Sequence, residues 1–337
     1  MMEGKIKELA KLLSNDKKIV ITTHTNPDGD AIGSSLALYH FLKKSNYDVN
    51  IITPNQHPEF LNWTPGCEEV IIYDQNLDKA IKVIENSDII FTLDFNDLNR
   101  CGDIGLHFNK KKHKIIMIDH HQSPTEYSDL SFSYPEISST CELIFKIISK
   151  LKNSNTIDKD ICTCIYLGMM TDTGSFQYNG VNHETHLILS TLLSNGVEHS
   201  KIYNNIYNSN NISKLRILGH ALNSLKQITD FKTTFMCLNS KQLVESGYMK
   251  GDTEGVVNYG LSLKNIDFTA IFIEDIDVKN LIKISFRSKN LFPCDKFAKE
   301  FFNGGGHKNA AGGKFEGAIN DAVEKFKTSL KGFKFKN

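Results

Sequence analysis

The sequence predicts an α/β protein: a mainly parallel sheet in an N-terminal domain, then a smaller C-terminal α/β domain. Three observations predict it. Short, continuous runs of β-branched and apolar residues recur through the first half, as expected of strands covered on both faces. Segments with helical apolar spacing separate these runs, and strands alternating with helices build parallel sheets. A second series of strands and helices then follows a stretch rich in Asn, Tyr and Ser.

The first strand is 18–22 (KIVIT), and apolar residues at helical spacing follow from Ala31 to Leu42. Further strands fall at 49–53 (VNIIT), 70–73 (VIIY), 88–93 (DIIFTL) and 114–118 (KIIMI). The run 161–171 (ICTCIYLGMMT) reads as a buried helix and 183–193 (HETHLILSTLL) as an amphipathic one. Residues 201–213 read as a connection between domains, with room for a helix. In the last third, 233–238 (TTFMCL), 267–273 (DFTAIFI) and 281–286 (LIKISF) read as strands, among helical segments around 254–263, 295–302 and 319–331. The division implied is a first domain over 1–200, a linker over 201–220 and a second domain over 221–337.

A chain of 337 residues exceeds what one core comfortably supports. Its hydrophobic (40%) and charged (23%) fractions are those of an ordinary globular protein. Lys+Arg and Asp+Glu both number 39, a global balance that argues against a strong duplex binder while leaving room for a local basic groove. A small anionic ligand held by metals and a few basic groups remains compatible. The seven scattered cysteines form no CxxC pair, which indicates neither a disulfide framework nor a cysteine zinc site. The opening MMEGKIKELAKLL carries charges throughout and lacks a signal-peptide core. No run reaches the ~18–20 apolar residues of a membrane span. A cytoplasmic protein with free thiols and no membrane association is expected.

Acidic residues and histidines collect where strands end, and ligands of open α/β sheets bind beyond the carboxyl ends of strands. His24, Asp28 and Asp30 follow the first strand, in a loop shaped by Pro27 and Gly29. Helix capping accounts for one of these carboxylates but not for both plus an imidazole. Asp94 ends the strand DIIFTL, and Asp119-His120-His121 ends KIIMI. Adjacent histidines point in different directions, so one can bind metal while the other faces substrate. Asp172 closes an apolar helix, where the helix dipole disfavours a carboxylate unless a cation lies nearby. Together His24, Asp28, Asp30, Asp94, His120 and Asp172 offer two imidazoles and four carboxylates. That donor set suits Mn²⁺, with Mg²⁺ the alternative, and is large enough for two metals sharing a carboxylate, the usual clamp for attack on a phosphate.

At these residues the sequence resembles the DHH phosphoesterase superfamily. The matching pieces are HTNPDGDAIGS (24–34), TLDFND (92–97), IDHHQS (118–123) and MMTDTGSF (169–176), and GGGHKNAAGG (304–313) resembles the associated DHHA1 domain. Within the superfamily the likeness is to the NrnA-like group of oligoribonucleases and pAp phosphatases. The resemblance implies that His24, Asp28 and Asp94 hold one ion, and that Asp30, Asp94, His120 and Asp172 hold the other. It also implies that the second domain binds the nucleotide end away from the metals. Arg287 and Ser288, at the end of LIKISF, with the Gly-rich turn Gly304, Gly305, Gly306 and His307, are the residues expected there, since glycines admit close backbone approach to an anion and Arg grips phosphate bidentately.

The reaction expected is phosphoester hydrolysis by water activated between two metals, with His121 on the scissile phosphate and Asp119 orienting the histidine pair. Substrates would be short oligoribonucleotides, dinucleotides such as pApA, and 3′-phosphoadenosine 5′-phosphate (pAp). The rivals are a cyclic-dinucleotide phosphodiesterase and a non-catalytic nucleotide-binding protein. A family II pyrophosphatase would lack the GGGH segment, and a RecJ-like exonuclease would be longer. A homodimer through the first domain is compatible with the resemblance.

Overall fold

The computed structural model describes residues 2–13, 17–151, 157–178, 180–289 and 292–333. The chain divides into two compact units, residues 1–209 and 210–337.

The first unit runs α1 (Met2–Leu12), β1 (Lys18–Thr22), α2 (Gly29–Lys44), β2 (Asp48–Thr53), β3 (Ile71–Ile72), α3 (Leu77–Glu85), β4 (Ile89–Leu93), β5 (Lys114–Asp119), β6 (Leu130–Ser133), α4 (Thr140–Ile148), α5 (Lys159–Asp172), α6 (His183–Ser194) and α7 (His199–Tyr207). Its sheet has the order β3-β2-β1-β4-β5-β6, and every neighbouring pair is parallel. β4 is buried along its whole length and β1 along all but its first residue, which is why both read as unbroken apolar runs. β6 (LSFS) was not expected. It lies at the sheet edge with alternating burial, so only half its residues are apolar. The order reverses between β1 and β4, the topological switch point where open α/β sheets form a ligand crevice.

α2 and α5 pack closely because glycines line their contact. A Cβ on Gly33 would meet the Cys164 carbonyl at 2.5 Å, and one on Gly168 would meet Asp30 Cα at 3.0 Å. This approach draws the start of α2 and the α4–α5 pair together.

The second unit runs α8 (Ile212–Asn223), β7 (Lys226–Ile228), β8 (Thr233–Leu238), α9 (Ser240–Ser246), β9 (Phe268–Glu274), β10 (Leu281–Ser288), α10 (Cys294–Phe301), β11 (Gly305–His307), β12 (Ala310–Glu316) and α11 (Ile319–Gly332). Its sheet, β11-β12-β10-β9-β8-β7, is mixed: β8 and β9 are parallel and the other pairs antiparallel. Phe268, Phe272, Phe286, Phe297, Phe302 and Phe326 are fully buried and form its core. Helices occupy most of 201–220, where a linker was expected, and residues 208–211 lie between α7 and α8. Among the described residues no helix is long and apolar enough to cross a membrane.

Candidate metal centre

The candidate ligands arrive from four separate segments. After β1 the chain turns through His24, whose Nδ1 lies 2.8 Å from the Thr25 carbonyl. A carbonyl only accepts, so Nδ1 carries the proton and Nε2 is left as the donor atom; it sits 3.4 Å from Asp94 Oδ2. Asp28 is the N-cap of α2, and its Oδ1 accepts from the N–H groups of Asp30 (3.0 Å) and Ala31 (3.1 Å). Asp30 stands in the first turn of that helix and is 1% exposed.

Asp94 follows β4 with φ +64°, a left-handed conformation that non-glycine residues seldom adopt. It is 2% exposed, and its two oxygens divide. Oδ2 faces His24, while Oδ1 lies 3.6 Å from His120 Nε2 and 3.7 Å from His121 Nδ1. Left-handed residues recur around the crevice at Asn26, Ser123, Gly174, Ser175 and Phe176. Such strain collects at functional sites, where the surrounding structure overrides it.

At the end of β5 the two histidines part. His120 Nδ1 lies 3.2 Å from the Ile137 carbonyl. Its Nε2 lies 3.3 Å from Asp172 Oδ2 and 4.0 Å from Asp30 Oδ2. His121 donates both its backbone N–H (2.8 Å) and Nδ1 (2.6 Å) to Asp119. Asp119 therefore grips His121 rather than the pair, and backbone orients His120.

Among the described residues, potential ligand atoms gather in three groups, each with all atoms within 4.8 Å: His24-Asp28-Asp94, Asp30-His120-Asp172 and Asp94-His120-His121. Every residue expected at the metals lies in one of them. The donor set, carboxylate oxygen with imidazole, fits a hard divalent cation.

The electrostatics point the same way. Burial and the charges of Asp94 and Asp172 push Asp30 well above the usual carboxylate range. Asp172 rises to about 7, chiefly through burial, with Asp94 and Asp28 adding to it. Burial opposes charge on His24 and His120, but the facing carboxylates outweigh it and raise both to about 9. Burial would also raise Asp94, yet its histidine partners hold it well below the ordinary value.

The sign of that linkage gives a prediction. A raised pKa contributes stability below the unfolded value that is lost as pH climbs through the folded one. For Asp172 the loss runs from 3.8 to about 7, and for His24 and His120 from 6.5 to about 9. A divalent cation bound at these groups would displace their protons, so its stabilising effect should grow with pH. The rise in melting temperature on adding Mn²⁺ to metal-free protein should be larger near pH ~8 than near pH ~6. A flat or shrinking increment would contradict this electrostatic account.

Residues 18–169 match the DHH family, N-terminal domain, and residues 230–332 match the DHHA1 domain. The chain belongs to the DHH family. Its similarity extends to the bifunctional oligoribonuclease and PAP phosphatase NrnA of Mycoplasma genitalium, at 26% identity across 96% of this chain and 99% of that protein. The Bacillus subtilis protein of the same name is 24% identical over 90% and 91%. A crystal structure of an exopolyphosphatase-related protein from Bacteroides fragilis is 43% identical with a TM-score of 0.94, covering 98% of this chain and 96% of the other. Thermus thermophilus RecJ in complex with Mn²⁺ shares the fold at 14% identity and a TM-score of 0.56, covering 97% and 54%.

Three residues at this candidate site were not found from sequence. Thr140 and Cys141 open α4 and donate to the acidic cluster, and Gly168 makes room for them. Ser139-Thr140-Cys141-Glu142 has the spacing of a helix N-terminal cap, and Ser139 Oγ accepts from the Glu142 N–H. That signal marks the helix start but not what it faces.

The residues expected at the nucleotide end lie in the second unit. Arg287 and His307 are register partners of the same residue, Ala310, across β10, β12 and β11. Ser288 is buried, and its hydroxyl donates to the Phe292 carbonyl at 2.7 Å. Gly305 and Gly306 lie in the edge strand β11, with Gly304 just before it, rather than in the turn that was expected. A Cβ on Gly304 would strike the Gly312 carbonyl at 1.9 Å, and one on Gly306, at φ +144°, the Ala310 carbonyl at 2.5 Å. Strand packing alone thus requires these two glycines, whereas Gly305 faces open space. The side chain of His307 lies outside the described residues.

Proposed function

We propose that this DHH-family protein is a metal-dependent phosphoesterase acting on short oligoribonucleotides and pAp. One observation carries the reading. Six oxygen and imidazole ligands from four segments meet at the β1/β4 switch point, in two triads joined by the divided carboxylate of Asp94. His24, Asp28 and Asp94 would hold one cation, and Asp30, Asp94, His120 and Asp172 a second. Two bound divalent cations, Mn²⁺ by donor chemistry, would polarise the phosphate and supply a nucleophilic water at neutral pH.

The chain's own residues do the rest. Asp119 orients His121 by accepting its Nδ1–H, so that Nε2 would face the phosphate, where as an imidazolium it would donate its N–H to the developing charge. Asp94 holds the facing histidines and sets the spacing of the two triads. In the second unit, Arg287 and the backbone of β11 would take the nucleotide phosphate away from the reacting bond. The substrates named for the NrnA relatives support this choice. All seven cysteines are free thiols, which suits the cytoplasm.

The test is hydrolysis, with Mn²⁺, of pAp, linear pApA, cyclic di-AMP and a long single-stranded RNA assayed separately. Fast release from pAp and pApA with slow attack on the other two is the expected result. Preferred cleavage of cyclic di-AMP would replace this reading with a cyclic-dinucleotide phosphodiesterase. Failure to turn over any of the four would leave a nucleotide-binding protein.

A further inference from the structure

The first residues of a helix carry backbone N–H groups without intrahelical partners. In α4 two of these groups are committed to one acceptor far away in the chain. Thr140 N–H donates to Asp30 Oδ2 at 2.6 Å, and Cys141 N–H donates to Asp30 Oδ1 at 2.9 Å. The Thr140 hydroxyl then reaches a different carboxylate, Asp94 Oδ1, at 2.9 Å. An ionised carboxylate only accepts, so the hydroxyl is the donor. Thr140 is fully buried, and Asp30 and Asp94 are 1% and 2% exposed. Water does not compete for these bonds, and bonds to buried charge are strong.

From this geometry we infer that Thr140 is a positioning residue that couples the two candidate metal subsites. Through its N–H it fixes Asp30, which belongs to the triad with His120 and Asp172. Through its hydroxyl it fixes the rotation of Asp94, which both subsites share. That rotation aims Oδ2 at His24 and Oδ1 at His120. Without the hydroxyl, the Asp94 carboxylate loses a fixed donor and rests on its contacts with His24, His120 and His121, so the placing of its two oxygens loosens. Thr140 touches no candidate metal position itself. Its effect passes wholly through the two carboxylates, so the inference rests on the metal-centre reading above.

Calorimetric titration of metal-free protein with Mn²⁺ tests it. Thr140→Val keeps the N–H and the side-chain shape and removes the donor. Outer partners of metal ligands typically contribute 10–100-fold to affinity, so Mn²⁺ binding should weaken by ~10–100-fold. Thr140→Ser, which restores the hydroxyl, should recover most of that loss. A merely structural threonine would lower the melting temperature of the metal-free protein and leave the Mn²⁺ affinity of the folded fraction unchanged. Should Thr140→Val not fold, Thr140→Cys, with its weak thiol donor, takes its place in the same titration. Wild-type affinity in the Val variant, or no recovery in the Ser variant, overturns the coupling role while leaving the metal centre standing. A wild-type protein that takes up no Mn²⁺ overturns both.

Discussion

Asp94→Asn is expected to fold and to lose hydrolysis of pAp and pApA by about a thousandfold or more, since a shared metal ligand stands for several kcal/mol of transition-state stabilisation. Asparagine is the replacement that isolates charge. Asp94 sits at φ +64°, and Asn tolerates the left-handed region where alanine adds roughly 1–2 kcal/mol of strain. The amide oxygen can still accept from the Thr140 hydroxyl. What disappears is the negative charge between His24 on one side and His120 and His121 on the other. On the proposed assignment both cation sites then lose an anionic ligand at one stroke, so Mn²⁺ uptake should fall along with turnover. The measurements are kcat/KM with saturating Mn²⁺, circular dichroism to confirm folding, and a Mn²⁺ titration. Activity within tenfold of wild type would mean that Asp94 is not a shared ligand.

The second large effect comes from a single methyl group. Gly168 lies inside α5, a helix interior where alanine is normally preferred by ~1 kcal/mol. Here a Cβ would lie 2.1 Å from Cys141 Sγ, 2.7 Å from Asp30 Oδ1 and 3.0 Å from Asp30 Cα. Those distances force either the head of α4 or the start of α2 to move. Overpacking of this kind costs about 1–3 kcal/mol, which offsets and exceeds the propensity gain. The motion falls on the two carboxylate-binding N–H groups and on Asp30 itself. A displacement near 1 Å at a catalytic constellation can cost about 100-fold in rate, so Gly168→Ala should lower both melting temperature and turnover. Pairing it with Cys141→Ala removes the nearest clash and should restore part of the stability, while the contact with Asp30 persists. A Gly168→Ala protein that is more stable than wild type and fully active would refute this packing account.

Much of the fold and of the site was legible in the sequence. KIVIT and TTFMCL form β1 and β8 with the expected ends, because strands buried on both faces read as unbroken apolar runs. The candidate ligands stood out because each follows such a run, and strand ends are a local property of the chain. Short and edge strands were harder. β6 alternates in burial, and β11 and β12 are built largely from Gly and Ala, residues of low strand propensity. Pairing with β12 makes an edge strand of Gly305–His307, and no local signal distinguishes that from a turn.

The sequence by itself determined the two-part α/β class, five of the six strands of the parallel sheet and the residue types that gather beyond their ends. Tertiary structure alone decided the strand order that makes β1 and β4 neighbours, the division of Asp94 between His24 and His120, and the attachment of Asp119 to His121. It also decided the roles of Thr140, Cys141 and Gly168. Asp30 and Thr140 are 110 residues apart in the chain and 2.6 Å apart at their bond. Such a contact follows from which helices the glycines allow to touch, and that is a property of the packed molecule rather than of either segment.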